Sequence, residues 1–162
     1  MIKLGSKGPV FFKQMRSGRD NHAFTCYKFR SMKKDNNAEH VQATKGDARI
    51  TKLGAFMRKT SIDELPQFFN VLIGNMSVVG PRPERQYFID RIMQMAPHYR
   101  HLHKVRPGIT SWGQVKFGYA ENVEQMIQRL KFDLIYIENM SLALDIKILF
   151  YTILIVLQRR GK

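Results

Sequence analysis

Adjacent carboxylates, Asp63 and Glu64, stand in the run Thr60-Ser61-Ile62-Asp63-Glu64-Leu65-Pro66-Gln67 of a chain with 27 Lys and Arg against 13 Asp and Glu. Their mutual repulsion is expected to make one of them hold its proton more tightly than a lone carboxylate. Such a pair suits a nucleophile beside a proton acceptor, or a site for a divalent cation. A short way downstream comes the basic turn Gly80-Pro81-Arg82-Pro83-Glu84. Its two prolines restrict the backbone around Arg82, so the guanidinium is expected at the surface, aimed at little entropic cost. A structural reading of the first motif is compatible with the chemical one. Ser61-x-x-Glu64 fits a capping box, with a helix running on to about Ile73 and stopping near Gly74-Asn75.

Tyr27-Lys28-Phe29-Arg30-Ser31-Met32 alternates aromatic and basic residues. On a strand, Lys28 and Arg30 would share one face. That face is either a solvated exterior or a seat for an anionic substrate. His98, His101 and His103 have spacings that fit no common zinc motif, and they read as solvated or phosphate-side donors.

The elements that position these groups are legible in outline. Residues 9–31 predict a β-hairpin from two aromatic, β-branched runs joined by Ser17-Gly18-Arg19-Asp20-Asn21. Residues 33–49 are polar and predict a mobile loop. Short helices are expected from Arg49 to Lys59 and from Glu84 to Met95. Val105 to Gln114 reads as a loop. Glu121 to Asn139 and Leu142 to Gln158 predict long helices. The last of these is apolar on nearly every side and ends in Gln158-Arg159-Arg160-Gly161-Lys162, which suits either core packing or a membrane interface. The expected class is α+β: a helix-rich single domain over 1–162 with an N-terminal β-hairpin and membrane-interfacial amphipathic helices.

Bulk properties narrow the function. The net charge of +14 favours an anionic partner: nucleic acid, anionic membrane or phosphorylated substrate. The single cysteine, Cys26, excludes an internal disulfide and a Cys-based zinc cluster, and points to a reducing compartment. Residues 1–20 contain no signal-peptide core, and no run of 18 uncharged apolar residues occurs. Walker, Gly-x-Gly-x-x-Gly and Gly-x-Ser-x-Gly patterns are absent, against a P-loop enzyme, a Rossmann cofactor or an α/β-hydrolase.

Five ordered segments resemble one family. Gly8-Pro9-Val10-Phe11-Phe12-Lys13-Gln14, Tyr27 to Met32, Ser61 to Gln67, Val79-Gly80-Pro81-Arg82-Pro83 and Arg106-Pro107-Gly108-Ile109-Thr110 are similar to the bacterial sugar transferases, the monotopic phosphoglycosyl transferases. The resemblance implies transfer of a sugar-1-phosphate from a UDP-sugar to polyprenyl (undecaprenyl) phosphate at the cytoplasmic face of the inner membrane. That reaction would start a lipid-linked exopolysaccharide or other glycan. It implies Asp63 as nucleophile, with Glu64 handling a proton or orienting Asp63. It implies Mg2+ held through Asp63, and phosphate binding by Arg82. Arg30, Lys28 and Arg106 are further expected contacts to nucleotide or lipid phosphate. Nucleic acid is not an expected partner, and homo-oligomerisation is left open.

Two departures qualify the likeness. Family members carry a re-entrant hydrophobic helix before the Gly-Pro-Val-Phe-Phe segment, whereas here only Met1 to Lys7 precede it. The expectation is therefore a catalytic domain without that segment. Ser111-Trp112-Gly113-Gln114-Val115-Lys116-Phe117-Gly118-Tyr119 differs from the Gly-Trp-Ala-Gln-Val-Asn-Gly pattern of small members and is similar to the larger, multi-domain ones. The rival reading is a basic nucleic-acid- or membrane-binding module without catalysis.

Overall fold

The computed structural model describes residues 1–33 and 47–158. Most of the polar stretch expected as a loop, and the basic residues after Gln158, lie outside the described residues. A single helical turn α1 (Ile2–Gly5) leads into the hairpin of β1 (Phe11–Ser17) and β2 (Ala23–Phe29). The strands pair antiparallel from Phe11 opposite Phe29 to Ser17 opposite Ala23, as the aromatic pattern predicts. Asp20 and Asn21 reverse the chain at positive φ (54° and 59°), a conformation that short polar side chains tolerate.

Strand parity corrects one expectation. Phe24 and Cys26 are buried, so Lys28 follows the inward-facing set and does not form part of a solvated exterior. Cys26 packs with Phe24 and Met76 in a small apolar cluster.

Next come α2 (Lys52–Lys59), a 3-10 turn at Ile62–Glu64, and α3 (Gln67–Leu72). This replaces the single capped helix expected from Ser61 to Ile73. Ser61 caps nothing with its side chain and sits at φ 56°, where the chain swings out of α2. Pro66, with its φ fixed near −61°, precedes the true start of α3. Helix α3 locks onto the hairpin through Asn70, which is fully buried. Its Oδ1 accepts from the Tyr27 amide (3.1 Å) and its Nδ2 donates to the Thr25 carbonyl (2.8 Å). One side chain thus stands in for a third strand along β2. Asn70→Ala leaves both backbone groups without these partners. It is expected to lower stability by about 2–4 kcal/mol, read as a reduced urea midpoint at unchanged slope.

The second half holds β3 (Ser77–Val79), α4 (Gln86–Met95), a 3-10 segment at Pro97–Lys104, β4 (Gly108–Thr110), α5 (Trp112–Lys116), α6 (Val123–Glu138) and α7 (Leu142–Leu157). The region expected as a loop after Val105 is therefore a strand and a short helix. Strands β3 and β4 pair in parallel. A Cβ on Gly80 or on Gly108 would run into the other strand's backbone, so both positions require glycine. The pairing brings the Pro81-Arg82-Pro83 turn beside the Arg106–Thr110 segment, where the Gly108 amide donates to the Pro81 carbonyl (2.9 Å).

Helices α5, α6 and α7 begin at Ser111, Asn122 and Ser141, each accepting from an amide three residues on. The main core lies between α4, the Pro97–Lys104 segment and α6, around Ile92, Tyr99, Leu102 and Leu130. Helix α7 buries Ile148 against Val79 and Tyr136. Its opposite side leaves Leu142, Ile146, Phe150, Ile153 and Leu157 exposed. Among the described residues no helix is long and apolar enough to cross a membrane.

Candidate active site

Asp63 and Glu64 occupy the 3-10 turn between α2 and α3 and are only 5% and 8% exposed. They line an open cleft. Arg58, Ser61, Arg82 and Arg129 line its charged part. Gln114, Val115, Gly118 and Tyr119 form one wall, and Thr110 with Thr152, Ile155 and Val156 another. Ser61 holds its positive φ two residues before Asp63, a placement that costs energy for a non-glycine residue and recurs at functional sites.

Glu64 is tied down by two cations. Its Oε1 accepts from Lys28 Nζ (2.6 Å) and from Arg82 Nη2 (3.2 Å). The hairpin and the proline-flanked turn therefore converge on one carboxylate oxygen. Arg82 lies deeper than its sequence context suggests, at 9% exposed. Burial works against its charge, but Glu64 and Glu84 outweigh that and raise its pKa.

A second layer of charge supports Arg82 from behind. Glu84 precedes α4 and is not its first residue as expected. Its Oε1 accepts from Arg129 Nη2 (2.6 Å) and its Oε2 from Arg16 Nη1 (3.1 Å). Burial alone would raise the Glu84 pKa. The charges of Arg129, Arg16 and Arg82 override it and bring the value from 4.5 down to about 2. The folded state thus binds fewer protons than the unfolded chain between those values. Glu84's contribution is present in full above about pH 4.5 and lost as pH falls toward 2. Stability measured by denaturant titration is expected to decline through that window, and Glu84→Gln should flatten that part of the profile.

Asp133 on α6 is also buried, which pushes its pKa up. Its Oδ1 accepts from the Gly113 amide (2.8 Å) and fixes α5 to α6. A Cβ on Gly113 would strike Arg129 and Asp133, so only glycine fits.

The remaining expected contacts lie elsewhere. Arg30 donates to the carbonyls of Ser6 (2.7 Å) and Lys7, pinning the N-terminal segment, and does not line the cleft. Arg106 is exposed in the strand lead-in and is likewise not a lining residue. Lys28 reaches the site only through Glu64. The histidines sit in the Pro97–Lys104 segment, where His103 stacks edge-on against Tyr99 and burial lowers its pKa.

No group of three His, Cys, Asp or Glu suited to a metal occurs among the described residues. Mg2+ asks less of the protein, since it keeps waters and shares substrate phosphates through one or two carboxylates. Asp63, at the wall of the cleft, fits that role.

The bacterial sugar transferase family model matches residues 1–159. This chain belongs to the bacterial sugar transferase family. Among its relatives, a UDP-N-acetylgalactosamine-undecaprenyl-phosphate N-acetylgalactosaminephosphotransferase of Aeromonas hydrophila is 48% identical over 99% of this chain and 38% of its own length. A UDP-glucose:undecaprenyl-phosphate glucose-1-phosphate transferase of Escherichia coli is 48% identical over 94% of this chain and 33% of its own length. An exopolysaccharide production protein of Rhizobium leguminosarum is 41% identical over 98% of this chain and 83% of its own length. The chain thus spans little more than a third of the first two.

Arg58, Arg129 and Thr152 line the cleft and were not singled out by the sequence reading. Arg129 had a signal. It shares a helical face with Met126, Leu130 and Asp133, so an Arg and an Asp interrupt a buried apolar stripe. Charged residues are rarely buried unless paired, and the pair marks the wall behind the cleft.

Proposed function

We propose that this domain transfers a sugar-1-phosphate from a UDP-sugar to polyprenyl phosphate through a covalent phosphosugar on Asp63. The observation that carries the reading is a carboxylate pair set in a cleft with Arg58, Arg82 and Arg129. A carboxylate is a poor nucleophile toward an anionic diphosphate unless fixed positive charge offsets the repulsion.

Asp63 attacks the phosphorus that bears the sugar. The bond from that phosphorus to the bridging oxygen breaks, and UMP leaves with the electron pair. An oxygen of polyprenyl phosphate then attacks the same phosphorus and releases Asp63 with the lipid diphosphosugar formed. Dividing the transfer this way replaces one difficult step by two easier ones. Glu64 holds Lys28 and Arg82 in register beside Asp63 and orients the nucleophile. Arg82 and Arg129 bind the diphosphate. Mg2+, held through Asp63 when bound, supplies charge neutralisation at the phosphates.

The acceptor lipid places the reaction at a membrane surface, here the cytoplasmic face. The exposed apolar side of α7 suits contact with that surface, as do Phe68, Phe69, Leu72 and Ile73 around α3. The product would initiate a lipid-linked glycan.

Intact mass after incubation with Mg2+ and a panel of UDP-sugars tests the covalent route, because the first half-reaction needs no lipid. The expected result is a gain of one phosphosugar with one donor class. UMP release without any covalent species during turnover would overturn the aspartyl intermediate.

A further inference from the structure

Gln114 carries a polar atom that the fold leaves unsatisfied. Its Oε1 is buried and has no hydrogen-bond partner among the described residues. Gln114 lines the same cleft as Asp63. Native proteins pair nearly all such atoms, and an orphan in a cleft calls for a ligand donor.

The backbone around it is clamped. The Gln114 amide donates to Ser111 Oγ (2.9 Å), and the preceding Gly113 amide donates to Asp133 Oδ1 (2.8 Å). Gly113 has no room for a side chain against α6. The carboxamide is therefore presented from a fixed turn, which cuts the ordering cost of a contact. Across the cleft Thr152 donates to the Ile148 carbonyl (2.8 Å), so the Thr110 hydroxyl must donate to Thr152 Oγ1 (2.6 Å). That pair is satisfied, and Gln114 is not.

We propose that Gln114 is a specificity-determining contact that accepts a hydrogen bond from a hydroxyl or amide N–H of the donor's sugar. This rests on the reaction proposed above. The lipid phosphate offers no such donor when ionised. The sugar hangs on the phosphorus that Asp63 attacks, so it must lie in this cleft, within one phosphate of the nucleophile. A site built to accept a bond from a sugar hydroxyl discriminates strongly against an analogue that lacks it.

The test compares Gln114→Met, close in size but without the acceptor, with the wild-type chain. UMP release is followed with UDP-sugars and polyprenyl phosphate, and UMP affinity is measured by calorimetry. The expected result is a rise of about 10–100-fold in KM or an equal fall in kcat/KM, with UMP affinity unchanged. A deoxy-sugar donor lacking the contacted hydroxyl should lose a similar factor with wild type and little more with the variant. A parallel loss of UMP affinity would assign the contact to the nucleotide and overturn the proposal, as would unchanged kinetics. Should Gln114→Met melt early, Gln114→Asn keeps the carboxamide and must still weaken sugar use without weakening UMP. No UMP release by the wild-type chain with any donor would instead remove the parent reaction, and this contact with it.

Discussion

Asp63→Asn is expected to remove the covalent phosphosugar and to lower turnover by on the order of 10⁴-fold or more. The amide keeps the shape of the side chain but cannot attack phosphorus at neutral pH. Asp63 stands in a short 3-10 turn and is 5% exposed, so the substitution disturbs little packing. It also removes one negative charge beside Glu64 and from the path of an anionic diphosphate. Nucleotide affinity measured without Mg2+ should accordingly hold or improve, while chemistry stops. That split separates a nucleophile from a residue needed only for binding. It is read by single-turnover UMP release beside UMP calorimetry. Turnover within tenfold of wild type would assign the attack to another group.

Arg82→Ala is expected to lower kcat/KM by about 10²–10³-fold, the scale of losing one preorganised cationic partner of a transferring phosphoryl group. The sequence suggests an exposed guanidinium whose removal weakens sugar use far more than folding. The structure revises the exposure: Arg82 is buried and donates to Glu64, so some stability goes with it. The loss is bounded, because Glu64 keeps Lys28 and Glu84 keeps both Arg16 and Arg129. A cost of about 1–3 kcal/mol follows, or several degrees in melting temperature for a chain of this size. Arg82→Lys should recover more of the stability than of the rate, since an ammonium replaces the charge but not the planar fork. A rate loss that disappears once the folded fraction is corrected for would reduce Arg82 to a structural role.

The hairpin, the two long C-terminal helices and the acidic pair were legible because each is a local signal. Strand period, capping residues such as Asn122 and Ser141, and adjacent carboxylates need no partner to be seen. What failed was non-local. Ser61-x-x-Glu64 has the spacing of a capping box, yet Lys28 and Arg82 claim Glu64 from distant parts of the chain. Arg30 and Lys28 look equivalent on a strand. Arg30 lies just beyond its end and bonds the carbonyls of Ser6 and Lys7, while Lys28 reaches Glu64. Arg82 lines the cleft, but its burial beside Glu64 and Arg129 comes from elements that no window around the turn contains. The parallel pairing of β3 with β4 was missed because three-residue strands give no period to read.

The ion pairs that build the site have a kinetic consequence. Lys28 and Glu64 are 36 residues apart, Arg129 and Glu84 45, and Arg16 and Glu84 68. Each closes a long loop, and loop closure must be achieved before such contacts repay it. Helices α6 and α7, with their local caps, can form early; Glu64 gains Lys28, and Glu84 gains Arg16, only when the N-terminal hairpin docks. Hairpin docking therefore completes the cationic setting of the cleft: before it, Glu64 has Arg82 but not Lys28, and Glu84 has Arg129 but not Arg16.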